Sequence, residues 1–200
     1  ANKWKPLGGF QYDGTAGPGG SIQSIAYDEK NNDLYMGGSF GGITDARAHR
    51  KYPHSPGVHR YDFDTQSTEP MAPGLQRGAC RKLKLDTSTT PTTVYIAGDF
   101  QYTGGNGEDP VQANSTARYS TGFASWQLGK GWTWYPQKGT TKQDGGKESI
   151  LQRAADFKYF DGAIILDFLV DNGEIYIVGA FSEGKGSGQT LRGVAKWDKE

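Results

Sequence analysis

The chain has 200 residues, and its 22 Lys and Arg balance 22 Asp and Glu, so the formal net charge is zero. This balance excludes the strongly cationic surface with which proteins bind nucleic acids or anionic lipids. Hydrophobic residues make up only 34%, while 30 glycines and an aromatic share of 12% favour short strands joined by tight turns over a helical bundle. The longest apolar run, Ala163 to Val170, is too short to cross a bilayer, so we expect no membrane insertion.

A first repeat unit is predicted over about residues 20–75. The apolar strand Ile22–Tyr27 is followed by a polar turn and then by Leu34–Phe40, which contains the pattern Tyr-x-x-Gly-x-Phe. A polar turn between two β-prone runs predicts a hairpin. The third and fourth strands of this unit are predicted at Val58–Asp62 and Thr68–Ala72.

A second unit is predicted over about residues 79–136. Its first strand includes Leu83–Leu85, and Val94–Phe100 repeats the Tyr-x-x-Gly-x-Phe pattern. We interpret Thr116–Ser120 as the third strand, because its Ala-Arg-Tyr resembles the small-basic-aromatic run of the other units. Trp132–Tyr135 is the predicted fourth strand.

Residues 137–162 read as an insertion between the second and third units. The apolar residues of Glu148–Phe157 recur at helical spacing. We therefore expect one short helix there.

The third unit, over about residues 163–200, contains strands at Ile165–Val170, Ile175–Phe181 and Val194–Asp198, with no fourth strand after them. Residues 1–9, with Trp4 and Leu7, are the predicted completing strand, because proteins seldom leave a strand edge unpaired. This strand could close a ring within one chain, complete a neighbouring copy, or belong to a longer chain with more blades. We favour the last two, because three blades are fewer than propellers usually have.

The glycines of the three Tyr-x-x-Gly-x-Phe strands are Gly38, Gly98 and Gly179. A glycine inside a strand often marks a close approach by another backbone. We expect Val at any of these positions to destabilise the fold by about 1–3 kcal/mol through overpacking.

Together these elements predict an all-β fold: a β-propeller-type array of about three four-stranded antiparallel blades in a single domain, residues 1–200. The order of motifs in the chain resembles the delta-60 and Rax2-like repeats, a kelch-like group of β-propeller proteins. These motifs are Tyr-x-x-Gly-x-Phe, a loop, and then Ala-Arg-Tyr or Ala-Lys-Trp. The resemblance covers most of the chain. It implies an extracellular or cell-surface propeller without assigned catalysis, and it brings no active-site residues.

No catalytic, cofactor-binding or metal-binding residues are predicted. His49, His54 and His59 lie five residues apart, a spacing that does not bring three ligands together on a regular element. Cys80 is the only cysteine, and we expect it to be buried as a small apolar residue. A glycosidase-type pair of carboxylates is not recognisable from sequence, so a glycan-active hydrolase stays an open alternative.

Two features suggest contacts with glycans. Trp126, Trp132, Trp134 and Tyr135 lie close together and would suit a sugar-binding platform, although we favour the simpler interpretation that some of them pack between blades. Asn114 begins an Asn-Ser-Thr sequon in a polar loop, which predicts N-glycosylation in a secreted protein.

The leading hypothesis is therefore a non-catalytic extracellular structural or interaction module. Its expected partners are copies of itself or further repeats of a longer chain, and head-to-tail contacts would build a larger structure or a filament. A carbohydrate-binding, lectin-like propeller is the alternative.

Overall fold

The computed structural model describes residues 10–12, 21–40, 43–45, 50–52, 57–71, 74–76, 78–100, 102–103, 118–119, 122–134, 164–181, 183–184, 189–190 and 193–197. The strands in chain order are β1 (Phe10–Tyr12), β2 (Ser21–Asp28), β3 (Asp33–Ser39), β4 (Ile43–Asp45), β5 (Arg50–Tyr52), β6 (Val58–Asp62), β7 (Ser67–Pro70), β8 (Leu75–Gln76), β9 (Cys80–Asp86), β10 (Thr93–Gly98), β11 (Tyr102–Thr103), β12 (Arg118–Tyr119), β13 (Phe123–Gln127), β14 (Gly131–Trp134), β15 (Ile164–Asp171), β16 (Glu174–Ala180), β17 (Glu183–Gly184), β18 (Gln189–Thr190) and β19 (Val194–Trp197).

The described part of the chain is all-β and contains no helix. Three antiparallel sheets account for the repeat units: sheet one has the order β2-β3-β6-β7, sheet two β9-β10-β13-β14, and sheet three β15-β16-β19. The predicted all-β class and the three antiparallel sheets are thus confirmed. The sheets do not close into a ring, and the predicted helix at Glu148–Phe157 lies outside the described residues.

One strand assignment in the second unit was wrong. Residues Arg118–Tyr119, inside the predicted third strand Thr116–Ser120, form β12 of a small separate sheet, and the third strand of sheet two is β13. The reason lies in the glycine that precedes each third strand. Gly57, Gly122 and Gly193 all have a φ near +80°, a conformation that suits glycine, and each one lets the chain turn into the strand that follows.

A second, smaller layer of strands was not predicted. The hairpins β4-β5, β11-β12 and β17-β18 each lie between the second and third strands of their unit. In the first two units, β1 and β8 add a third strand to the hairpin. The repeat therefore extends into what sequence reading treats as variable loops.

The glycines of the repeat pattern lie where two backbones meet. A Cβ on Gly38, Gly98 or Gly179 would come within 1.9, 2.0 and 2.0 Å of the carbonyl oxygens of Ser21, Ala79 and Ile164, respectively. The first and second strands of each unit shift register close to this point, as in a β-bulge. The expectation that these glycines leave no room for a side chain is confirmed in all three units.

The same glycines are fixed from the opposite side. The N–H groups of Gly38, Gly98 and Gly179 donate to the carbonyls of Gly57, Gly122 and Gly193, each over 2.9 Å. The carbonyl of Phe40 accepts from the N–H of Gly57, and that of Phe100 accepts from the N–H of Gly122. The same backbone contact therefore holds the pattern glycine in all three units.

Sheet two lies between the other two sheets, and both faces of β10 are buried. Val94 and Ile96 belong to one apolar cluster with residues of sheet one, including Tyr35. Tyr95 and Ala97 belong to a second cluster with residues of sheet three, including Phe168. The alternation along one strand therefore builds two cores, one on each face of β10.

Candidate interaction surfaces

Each sheet has two chemically distinct faces, defined by the Tyr-x-x-Gly-x-Phe strand. The forward face carries the first and third residues of the pattern, which are Tyr35 and Gly37, Tyr95 and Ala97, and Tyr176 and Val178. The rear face carries the residue before the pattern and the second residue of the pattern, which are Leu34 and Met36, Val94 and Ile96, and Ile175 and Ile177. The forward faces of sheets one and two pack on the rear face of the next sheet. The three sheets therefore form a stack in which every internal contact joins a forward face to a rear face.

The first internal interface joins the forward face of sheet one to the rear face of sheet two. The ring of Tyr35 meets Trp126 edge-on at 6.3 Å between centroids. The absent side chain of Gly37 leaves space that Cys80 and Leu83 fill, because a Cβ there would lie 2.3 Å from the Cys80 Sγ atom. The strand β9 supplies most of this contact by packing on β2 and β3.

Polar groups reinforce the first interface at its turns. The hydroxyl of Thr92 donates to the carboxylate of Asp28 over 2.6 Å, and the Asn31 amide donates to the same carboxylate over 2.7 Å. Burial alone would raise the pKa of Asp28, but these hydrogen bonds and those from the backbone of Lys30 and Asn31 lower it overall. The ionised carboxylate thus links two turns that are distant in sequence.

The second internal interface repeats this arrangement between sheets two and three. Phe168 of β15 meets Phe123 edge-on at 5.1 Å and Tyr95 at 6.4 Å between ring centroids. The ammonium of Lys84 pairs with Asp167 over 2.9 Å and lies over the ring of Phe168. The pattern of the first interface is preserved, with the first strand of the following sheet packing on the first and second strands of the preceding sheet.

On the rear face of sheet one, the first strand β2 lacks the cover that β9 and β15 have on the rear faces of the other two sheets. By strand pairing, Ile25 is equivalent to Leu83 and Phe168, because these residues lie opposite Met36, Ile96 and Ile177. Leu83 and Phe168 are each 3% exposed, whereas Ile25 is 62% exposed. Ile22 and Tyr27, on the same strand, are also about half exposed, so β2 presents an open apolar surface.

The forward face of sheet three is open in the same way. Tyr35 and Tyr95 are 2% and 8% exposed, but the equivalent Tyr176 is 37% exposed. Val58 and Phe123 are fully buried, but the equivalent Val194 is largely exposed. Leu169, opposite Tyr176 in β15, adds a further exposed apolar side chain. These open faces were not predicted, because the apolar pattern of these strands is the same as that of the covered strands.

A buried ionic group stiffens the forward side of sheet one. Both Oδ atoms of Asp33 accept from Nη1 of Arg60 over 2.8 Å, and Nη2 of Arg60 also contacts Glu69. Burial raises the pKa of Asp33, and its pairing with Arg60 opposes that rise. The phenol of Tyr35 donates to the same carboxylate at 3.4 Å, which orients a ring of the first interface.

Two of the four aromatics considered for glycan binding belong to the core. Trp126 and Trp132 are buried in the cluster shared by sheets one and two. Their burial explains the aromatic cluster in the sequence by packing between sheets. The side chain of Trp134, as well as Tyr135, Asn114, Trp4 and Leu7, lies outside what the structure describes.

Two of the remaining candidates for chemistry, His59 and Cys80, are explained by packing, while His49 and His54 lie outside the described residues. His59 is fully buried opposite Met36, where the other third strands carry Ala124 and Ala195, and burial lowers its pKa to about 4. Cys80 is buried in the first interface, and burial raises its pKa to about 12. No group of three or more His, Cys, Asp or Glu side chains in the described ranges is arranged to hold a metal ion. Within those same ranges, no helix has the length and hydrophobicity needed to span a bilayer.

Comparison with known protein families, with curated proteins and with solved structures finds no match to this chain. The two open faces, and the internal interfaces that resemble them, are therefore the features that indicate a function.

Proposed function

We propose that this chain is a non-catalytic structural or interaction module that works at the cell surface or outside the cell and makes contacts through its sheet faces. The observation that carries the proposal is the pair of open apolar faces at the two ends of the stack. Contiguous exposed apolar residues on a folded protein usually mark an interaction site. Burying the exposed part of one side chain such as Ile25 would stabilise a contact by about 1 kcal/mol.

A second form of contact involves the edge of sheet three. Sheets one and two have a fourth strand, whereas in sheet three no fourth strand pairs with β19 among the described residues. We propose that residues 1–9, with Trp4 and Leu7, complete such an edge in a neighbouring copy or in a longer chain. Each added backbone hydrogen bond would contribute about 0.5–1.5 kcal/mol.

Light scattering on the purified chain over a wide range of concentration tests both forms. We expect the average mass to rise with concentration. A mass that stays at one chain throughout would contradict self-assembly. A variant without residues 1–9 separates the two contacts: unchanged mass and unchanged thermal stability would eliminate the completing strand while leaving the faces as the site of association.

The extracellular location has its own test. We propose that Asn114 carries a glycan when a eukaryotic source secretes the protein. Glycopeptide mass spectrometry on native material reports the occupancy of this site directly. Asn114 found entirely unmodified in secreted material would remove this support for the location.

A further inference from the structure

We infer that the forward face of sheet three binds the rear face of sheet one of a second copy of this chain, in the register that joins the sheets within one copy. This inference rests on the proposed function and names its partner. Both halves of the contact are present on every chain. The two internal interfaces show how such halves fit together.

The equivalent positions specify which side chains meet. Within one copy, Phe168 packs against Tyr95 and Phe123. Ile25 is the equivalent of Phe168, while Tyr176 and Val194 are the equivalents of Tyr95 and Phe123. Ile25 of one copy is therefore expected to lie against Tyr176 and Val194 of the next.

The open residues are concentrated where the internal interfaces make their contacts. The first strand of the following sheet dominates both internal interfaces, since β9 packs on β2 and β3, and β15 packs on β10 and β9. In sheet one the exposed apolar residues Ile22, Ile25 and Tyr27 all lie on that first strand. Met36 and Tyr61, further across the rear face, are already buried. The exposed strip formed by Ile22, Ile25 and Tyr27 thus corresponds to the part of the other rear faces that the preceding sheet covers.

The forward face of sheet three also resembles the forward faces that are already covered. Gly37 and Ala97 are replaced by the larger Val178, and Ala26 and Lys84 are replaced by Leu169. These changes add two apolar side chains to the open face, which also carries the exposed ion pair between Lys196 and Glu174 beside Tyr176. The apolar side chains Val178 and Leu169 on this face suit an apolar partner surface. The rear face of sheet one provides such a surface.

The contact is heterologous, because a rear face meets a forward face and not a copy of itself. Such a contact continues from chain to chain until the rotation closes a ring, or it produces an open filament. A partner face remains free at each end of any open chain. Single-face variants therefore stop growth in a way that an isologous dimer would not show.

The test uses two variants with one blocked face each. Ile25→Glu blocks the rear face of sheet one, and Leu169→Glu blocks the forward face of sheet three. Both positions are more than half exposed, so the fold should accept the change. A carboxylate would have to be desolvated in the contact, and we expect each variant alone to self-associate at least about tenfold more weakly.

Sedimentation velocity on the mixture provides the decisive result. Ile25→Glu retains a working forward face and Leu169→Glu retains a working rear face, so the two together should form a 1:1 dimer that grows no further. Leu128→Glu changes an exposed leucine in the turn after β13 and should associate like the unmodified chain. Val194→Glu repeats the forward-face test if Leu169→Glu loses thermal stability.

The outcomes distinguish this inference from the proposed function. If either single variant still dimerises like the unmodified chain, or the mixture gains no dimer, the head-to-tail register is wrong while an interaction module remains. If the unmodified chain does not associate at any concentration, both the inference and self-assembly are wrong.

Discussion

Gly98→Ala is the most direct test of the packing that repeats in all three units. The new Cβ would lie 2.0 Å from the Ala79 carbonyl oxygen and 3.1 Å from the Arg81 nitrogen. Backbone atoms cannot rotate away as a side chain can, so β9 and β10 must separate by about 1 Å to restore an ordinary contact. The hydrogen bond from Gly98 to Gly122 resists that movement from the other side.

We expect Gly98→Ala to lower the free energy of unfolding by about 3 kcal/mol, at the upper end of overpacking effects. For a domain of this size, that corresponds to a fall of about 6–12 °C in Tm. Urea denaturation followed by circular dichroism measures it. Ser39→Ala, at an exposed site beside the equivalent Gly38, should stay within about 0.5 kcal/mol of the unmodified chain. A Gly98→Ala variant as stable as this control would refute the close backbone approach.

Three further predictions concern buried groups. Burial lowers the pKa of His59 to about 4. The stability that depends on neutral His59 is therefore complete above the unfolded pKa of about 6.5 and is lost as pH falls towards 4. Denaturant titrations between those two pH values should show a smaller loss of stability for His59→Ala than for the unmodified chain. Asp33→Asn should cost about 3 kcal/mol by removing the buried carboxylate that pairs with Arg60, whereas Glu174→Gln, in an exposed pair, should cost clearly less in the same assay. The Cys80 thiol, with its pKa raised to about 12, should react with a thiol reagent at the rate of unfolding, and rapid labelling of the native protein would contradict its burial.

The sequence predicted the elements that depend on local pattern. The Tyr-x-x-Gly-x-Phe strands, their hairpin partners and the steric role of Gly38, Gly98 and Gly179 are all confirmed. These features could be predicted because alternation along a strand and the glycine at a close approach both act through nearby residues.

The features that sequence reading missed depend on contacts between distant segments. Ala-Arg-Tyr favours Thr116–Ser120 as the third strand of the second unit. The positive-φ Gly122 before Phe123 instead determines where the third strand, β13, begins. The small sheets β1-β4-β5 and β8-β11-β12 join segments far apart in the chain, and a single sequence carries little signal for such pairing. The open faces became recognisable only when burial distinguished Ile25 from its equivalents Leu83 and Phe168.

The two open faces should bind each other as the internal faces do, and disulfide trapping detects this contact between chains. Ile25→Cys and Val194→Cys are combined in one chain with Cys80→Ala, so that the cysteines occupy the positions equivalent to Phe168 and Phe123. Under mild oxidation, we expect a ladder of cross-linked chains on a non-reducing gel. Each single-cysteine variant should give no more than a weak dimer, and a pair that combines Ile25→Cys with Leu128→Cys should give no ladder. A double variant that remains a single chain under conditions where the unmodified protein associates would contradict the claim.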